Sequence, residues 1–376
     1  MLRFLTAGES HGPCLTAIVE GLPAGLDVDA EAINRDLARR QSGYGRGGRM
    51  KIERDKVEVL GGVLGGKTTG APVSLRIENR DWANWREHWA AGDLPKLTVP
   101  RPGHADYAGM VKYGLDDARP ILERASARET AARVAVGALV KLLLAEFDVA
   151  VCSVVAEIGG VVAQVPDLAW SELWALAEAS DVRCPDEASA ARMREAIDAA
   201  REAGDSLGGV FVVAATGLPV GLGSHVQWDR RLDARLAAAV MSIQAIKGVE
   251  VGSAFENARM PGTQVHDEIK RVSESANQRI ARSSNRAGGI EGGMTNGEPV
   301  VVRAAMKPIP TTVTPLRSVD LFTGEEAATQ YQRSDVCAVP AASVVGEAMV
   351  AWGLADALVE KLGGDSLAEM LERSNL

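Results

Sequence analysis

The placement of glycine constrains this chain more than any other feature of its sequence. A third of the 39 glycines fall in four short polar clusters that also carry Arg, His, Ser or Asn: Gly8 to Gly12, Gly43 to Arg49, Arg101 to Gly109, and Ser283 to Gly297. Glycine lets a backbone take positive φ and approach a ligand closely. One such cluster reads as an ordinary turn. Four with the same accompanying chemistry read as loops gathered around an anion. The formal net charge is -9, from 50 acidic and 41 basic residues. That sign gives the chain no general attraction to nucleic acid or an anionic membrane. An anion site must therefore concentrate its arginines locally.

Two clusters match familiar patterns and fail on context. Gly8-Glu9-Ser10-His11-Gly12 is literally G-x-S-x-G, but a nucleophile elbow needs a strand before it and a helix after it. Here Pro13 follows and the next segment reads as strand, which leaves His11, between glycines, facing a cleft. Gly43-Tyr44-Gly45-Arg46-Gly47-Gly48 contains G-x-G-x-x-G, yet a helix precedes it and a strand-like stretch follows, the reverse of a dinucleotide fold. What remains is a loop carrying Arg46 and Arg49 beside Arg39 and Arg40, suited to phosphate or carboxylate capture.

Further along, Arg101-Pro102-Gly103-His104-Ala105-Asp106 sets a second imidazole in a tight turn with an arginine and a carboxylate. Arg124, Ala125, Ser126 and Arg128 open a long helix. Arginines in a first turn oppose the helix dipole, so they pair with Glu123 or Glu129, or they join free N–H groups around a phosphate. Ser283 to Gly297 is too glycine-dense for helix or strand. It leads into a strand, then Lys307-Pro308-Ile309-Pro310-Thr311, and later Arg333-Ser334-Asp335.

Patterning predicts strands over 14–20, 57–64 and 72–77, then 151–158, 210–216 and 300–306. It predicts helices over 29–41, from Ser126 to Phe147 with a Ser126/Glu129 capping box, through much of 167–203, over 230–247, and from about 344 to 373. No linker, charge run or repeat divides the chain, so one α+β domain over residues 1–376 is expected. The four cysteines are far apart and form no CxxC pair, which reads as reduced thiols. The N-terminus breaks at Gly8-Glu9 before a signal-peptide core forms, and no uninterrupted apolar stretch approaches 18 residues, so a cytoplasmic location is expected.

Taken in order, these blocks resemble the chorismate synthase family over nearly the whole chain. The resemblance implies a β-α-β sandwich with helices packed between antiparallel sheets, assembled as a homotetramer. It implies reduced FMN as cofactor and 5-enolpyruvylshikimate 3-phosphate as substrate, converted to chorismate by anti 1,4-elimination of phosphate without net redox change. Carried onto this sequence, His11 protonates or hydrogen-bonds the leaving phosphate, His104 acts near the flavin, and Asp335 helps its N5 shed a proton. Arg40, Arg46, Arg49, Arg101, Arg128 and Arg333 surround the substrate's phosphate and carboxylates, or bind NADP. FMN is held by Arg124, Ala125, Ser126, Gln244, Ala245, Gly292, Lys307, Pro308, Ile309, Pro310, Thr311 and Arg333. NADPH enters only as an indirect reductant. Two positions depart from common family usage: Ser334 stands where many members have His, and Gln244 where some have Asn. The competing readings are a flavin-dependent oxidoreductase acting on an anionic metabolite, which needs a nicotinamide site, and a non-catalytic anion-binding protein.

Overall fold

The computed structural model describes residues 1–48, 52–271 and 280–374. Two antiparallel sheets form its outer layers. The first runs, in spatial order, Arg3–Ala7, Cys14–Glu20, Val73–Glu78 and Val57–Gly61. The second runs Ile246–Val251, Val300–Met306, Gly209–Thr216, Ala150–Ile158 and Val161–Val162. All pairings within both are antiparallel. Alternation sets the register. Leu15, Ala17 and Val19 lie opposite Ile77, Leu75 and Val73, and all six are buried. A one-residue slip would turn that apolar row to solvent.

Helices fill the space between the sheets. Ala30–Gln41 and Thr130–Ala145 pack on the first sheet, and Leu232–Met241 and Val339–Leu362 on the second. This is the β-α-β sandwich expected. The Asp29 side chain caps the first of these helices, accepting from the Glu31 N–H, and its basic last turn carries Arg39 and Arg40. The two central helices cross closely: a Cβ added at Gly137 would lie 2.2 Å from the Ala348 Cβ. Likewise, Gly346 lets the Phe211 ring approach the Val339–Leu362 helix. That helix is apolar around its whole circumference, the pattern of a rod buried on every side. It is long and apolar enough to cross a membrane by length and composition, but it is almost wholly buried inside this fold.

One polar knot interrupts the interior. The fully buried Glu347 carboxylate accepts from Arg39, Lys141, Arg183 and Ser153, and Asp36 and Glu178 complete the set. Burial alone would push the Glu347 carboxyl up. The surrounding Lys141, Arg39 and Arg183 charges override it and hold the group far below its ordinary range.

Several boundaries differ from those expected. The strand predicted over 57–64 breaks at Gly62, whose φ is +82°. Helix 167–203 is two helices, Trp170–Ala179 and Glu187–Glu202, separated by a turn containing Pro185. The helix predicted to reach Lys247 ends at Met241, because Ala245 adopts φ +67° and Lys247 already belongs to a strand. The Ser126/Glu129 pair is half a capping box. Ser126 accepts from the Arg128 N–H, but the Glu129 carboxylate turns instead to Thr6, Arg133 and Gln244. The last long helix starts at Val339, since Pro340 is tolerated in a first turn. All four cysteines are free thiols.

Candidate active site

A cavity of about 710 Å³ opens at one end of the sandwich. Loops and helix ends from along the whole sequence build its walls, and Ala341, Ala342 and Val345 of the long helix line it with Ala338 just before them. Ser10, His11, Arg40, Arg46, Arg101, His104, Arg128, Arg333 and Asp335 all line it. Thus the two histidines share one space, with arginines drawn from residue 40 to residue 333.

Each imidazole is backed by a buried carboxylate. His11 Nδ1 lies 2.9 and 3.1 Å from the Glu123 oxygens, and the His11 backbone N–H donates to the same carboxylate at 2.8 Å. Trp85 lies against the ring, with centroids 4.2 Å apart. His104 Nδ1 is 2.5 Å from Asp106 Oδ1. Asp106 also takes the Arg101 Nε at 2.8 Å and Nη2 at 3.0 Å. Burial would raise the Asp106 carboxyl, but the hydrogen bonds from His104 and Arg101 hold it well below the carboxylate range. An ionised carboxylate only accepts, so Nδ1–H must point at Asp106.

The arginines differ in how fully they are engaged. Arg128 is nearly sealed: Nη1 lies 2.6 and 2.7 Å from the two Asp55 oxygens, Nε donates to Asn79 at 2.8 Å, and Glu53 is 3.7 Å away. Arg46 Nη1 and the Gly47 N–H each reach Asp335 at 2.6 Å. A Cβ at Gly47 would press 2.6 Å from the Ser334 carbonyl, so the two loops lock together only around a glycine. Arg333 donates to the buried Asp81 at 2.9 Å. Arg40 is the contrasting case. Its side chain is 3% exposed and its Nε has no hydrogen-bond partner among the described residues. Burial pulls its guanidinium down to about 10, with Asp55 opposing the shift and Arg128 and Arg46 adding to it. A buried cation in that state gains from an anion placed beside it.

Ala125, Ser126, Gln244, Ala245, Lys307, Ile309, Pro310 and Thr311 line the same cavity. Lys307 Nζ reaches back to the Gly103 carbonyl and ties its segment to the His104 turn. Gln244 Oε1 is buried without a partner among the described residues. Three predicted residues lie elsewhere. Arg124 bonds to Thr6 and Gly8 and lines an adjoining cavity of about 390 Å³. Pro308 does not reach the cavity wall, and Gly292 sits in the hairpin turn between Ile290–Glu291 and Met294–Thr295 with open space around it. Arg49 lies outside the described residues.

Sequence reasoning missed Glu53, Asp55 and Asn79 around Arg128, and Trp85 against His11. It took Glu123 for a partner of arginine, and the structure makes it the partner of His11. None carries a local signal, since each meets its partner across tens of residues of chain.

Such a cleft, with clustered guanidinium groups and two carboxylate-backed imidazoles in an acidic protein, defines an enzyme that handles a small polyanionic metabolite. Known proteins sharpen that class. Residues 2–359 match the sequence model of the family described as chorismate synthase. The chain is 60% identical to the chorismate synthase of Desulforamulus reducens, over 100% of this chain and 98% of that one. It is 59% identical to that of Geobacter sulfurreducens, over 98% and 96%. A crystal structure of chorismate synthase superposes with a TM-score of 0.80 at 46% identity, covering 100% of this chain and 96% of the other. The chain belongs to the chorismate synthase family, and it is a lyase of the shikimate pathway.

Proposed function

We propose that the chain converts 5-enolpyruvylshikimate 3-phosphate to chorismate by anti 1,4-elimination of phosphate, with reduced FMN bound in the same cavity and all of residues 1–376 acting as one catalytic domain. The observation that carries this reading is the meeting of His11, His104 and the arginines in a single cleft of a net-negative protein.

The cavity's volume lies within the roughly 300–1,000 Å³ of small-molecule sites. Its residues also fit a flavin. Leu122, Ile243 and Val345 offer apolar surface for a flat ring, Gln244 Oε1, without a partner among the described residues, can take a donor, and Lys307 offers a cation for a phosphate. Ala125, Ser126, Gln244, Ala245, Lys307, Ile309, Pro310, Thr311 and Arg333 would hold it. Arg124, Pro308 and Gly292 contact it only if ligand binding or a neighbouring subunit brings them in. Reduced flavin supplies an electron-rich partner that eases departure of phosphate.

The chain's own residues do the rest. Arg40, Arg46, Arg101 and Arg128, with Arg49 and Arg333, orient the phosphate and two carboxylates. His11 meets the leaving phosphate through Nε2, and His104 holds a proton beside the ring system. Asp335, fixed by Arg46 and the Gly47 N–H, serves as the carboxylate that takes a proton onward. Ligands seated in the cavity would displace its water, which strengthens each of these interactions. NADPH serves only as the source of electrons for free flavin. The enzyme works in the cytoplasm as a homotetramer.

An oxygen-free assay with reduced FMN tests the reaction. Phosphate release without net flavin oxidation is the expected result. Stoichiometric flavin oxidation would make the chain an oxidoreductase instead.

A further inference from the structure

The geometry points to Glu123 as the residue that positions His11, fixing its imidazole as the Nδ1–H tautomer so that Nε2 alone exchanges a proton with the ligand. The inference rests on the proposed role of His11 in the elimination, and extends it to a residue that touches no ligand.

Three observations carry it. First, the Glu123 carboxylate is used twice by one residue: Oε2 takes the His11 backbone N–H at 2.8 Å, and both oxygens lie within 3.1 Å of Nδ1. The backbone contact fixes the carboxylate relative to the main chain of the Gly8–Gly12 loop, and the ring contact fixes the ring relative to the carboxylate. Second, the side chain of Glu123 is 2% exposed, and the Ser10 N–H donates to its carbonyl at 3.0 Å. The helix Arg119–Ala125 and the loop are therefore joined at both backbone and side chain. Arg119, 4.0 Å away on the same helix, is the balancing cation. Third, Trp85 packs against the ring at 4.2 Å and limits its rotation. Nε2 has no hydrogen-bond partner among the described residues, and the residue lines the cavity.

A carboxylate accepts and cannot donate, so the proton on Nδ1 is directed at Glu123. Which imidazole nitrogen carries a proton is set by the bond the other makes. The His104–Asp106 pair across the cavity repeats the arrangement at 2.5 Å. Glu123 is thus a positioning residue and not a catalytic one.

Glu123→Gln tests this sharply because it preserves shape and reverses polarity. The remaining amide oxygen accepts the His11 backbone N–H, and the NH₂ group faces Nδ1. That forces the ring proton onto Nε2. Solid-state ¹⁵N NMR of histidine-labelled protein, with His11 assigned by comparison with His11→Ala, reads the tautomer without any ligand. The expected result is a protonated Nδ1 in the unaltered protein and a protonated Nε2 in Glu123→Gln. In parallel, kcat should fall by about 100-fold while KM and FMN affinity hold, because the amide no longer stabilises the imidazolium from which Nε2 gives its proton to the leaving phosphate. A ring protonated on Nε2 but not on Nδ1 in the unaltered protein overturns the inference without any variant. An unchanged tautomer or an unchanged kcat in Glu123→Gln does the same. The proposed reaction fails separately: if His11→Ala keeps full activity, His11 leaves the mechanism whatever the NMR shows.

Discussion

Arg128 and Asp55 face each other through both carboxylate oxygens, 2.6 and 2.7 Å from one guanidinium nitrogen, with both side chains almost wholly buried. The arginine at the opening of the long helix is thus already neutralised before any ligand arrives. It forms part of the cavity's frame as well as its wall.

Removing it should therefore cost stability before it costs affinity. Arg128→Ala leaves the buried Asp55 without the guanidinium that meets both its oxygens, and the loss should be about 3–5 kcal/mol in denaturant unfolding. Arg201→Ala, at an exposed surface pair, should cost less than about 1 kcal/mol. Equal losses in the two would mean that Arg128 is not part of the frame.

Arg40 should behave in the opposite way. Its Nε is buried with no hydrogen-bond partner among the described residues, and desolvation already draws the guanidinium down to about 10. Arg40→Met should weaken substrate by about 10- to 100-fold, the worth of a hydrogen bond to a charged group. Its melting temperature should hold or rise, because a desolvated charge flanked by Arg128 and Arg46 is gone. Calorimetric titration and thermal unfolding together read both effects.

Glu347 should govern the acid limb of the stability curve. Its folded carboxyl is held far below the ordinary 4.5. The unfolded chain thus takes up the proton first as pH falls. The carboxylate's contribution is complete above about pH 4.5 and fades as pH drops toward the folded value. Glu347→Gln should lower stability at pH 7 by about 3–5 kcal/mol and flatten the dependence of stability on pH below that point. Urea unfolding at a series of acid pH values measures the slope, and an unchanged slope would detach Glu347 from the effect.

Thiol chemistry should single out one cysteine. Burial pushes Cys152 up to about 12 and Cys337 up to about 11, and raises Cys184 as well. All three are buried, whereas Cys14 is partly exposed. Iodoacetamide on the native protein should modify Cys14 alone, with the other three reacting only after unfolding. Peptide mass analysis distinguishes them.

What the sequence made legible was whatever depends on near neighbours. The helix over 29–41 with Ile33 and Leu37 on one face, and the strand over 14–20, both express short-range periodicity, and the structure follows them. The glycine-rich clusters were legible only in part: Ser283 to Gly297, expected to hold neither helix nor strand, contains the short hairpin of Ile290–Glu291 with Met294–Thr295, because Gly292 and Gly293 supply its positive-φ turn. The end of the 232–241 helix was not, because Ala245 adopts a left-handed φ that composition disfavours and tertiary contacts impose. The partners of the site residues were hidden by distance along the chain. Glu123 meets His11 across 112 residues, and Asp55 meets Arg128 across 73. A carboxylate beside an arginine in sequence says nothing of an imidazole that the fold delivers from elsewhere.

The near-touching of Gly137 and Ala348 reaches beyond the interior. A single methyl there would wedge apart two rods, and the second rod is also the bed on which any ligand rests, through Ala341, Ala342 and Val345. Interior spacing and cleft shape are thus one mechanical variable. Substitutions deep between the layers, remote from every imidazole, will retune the cleft.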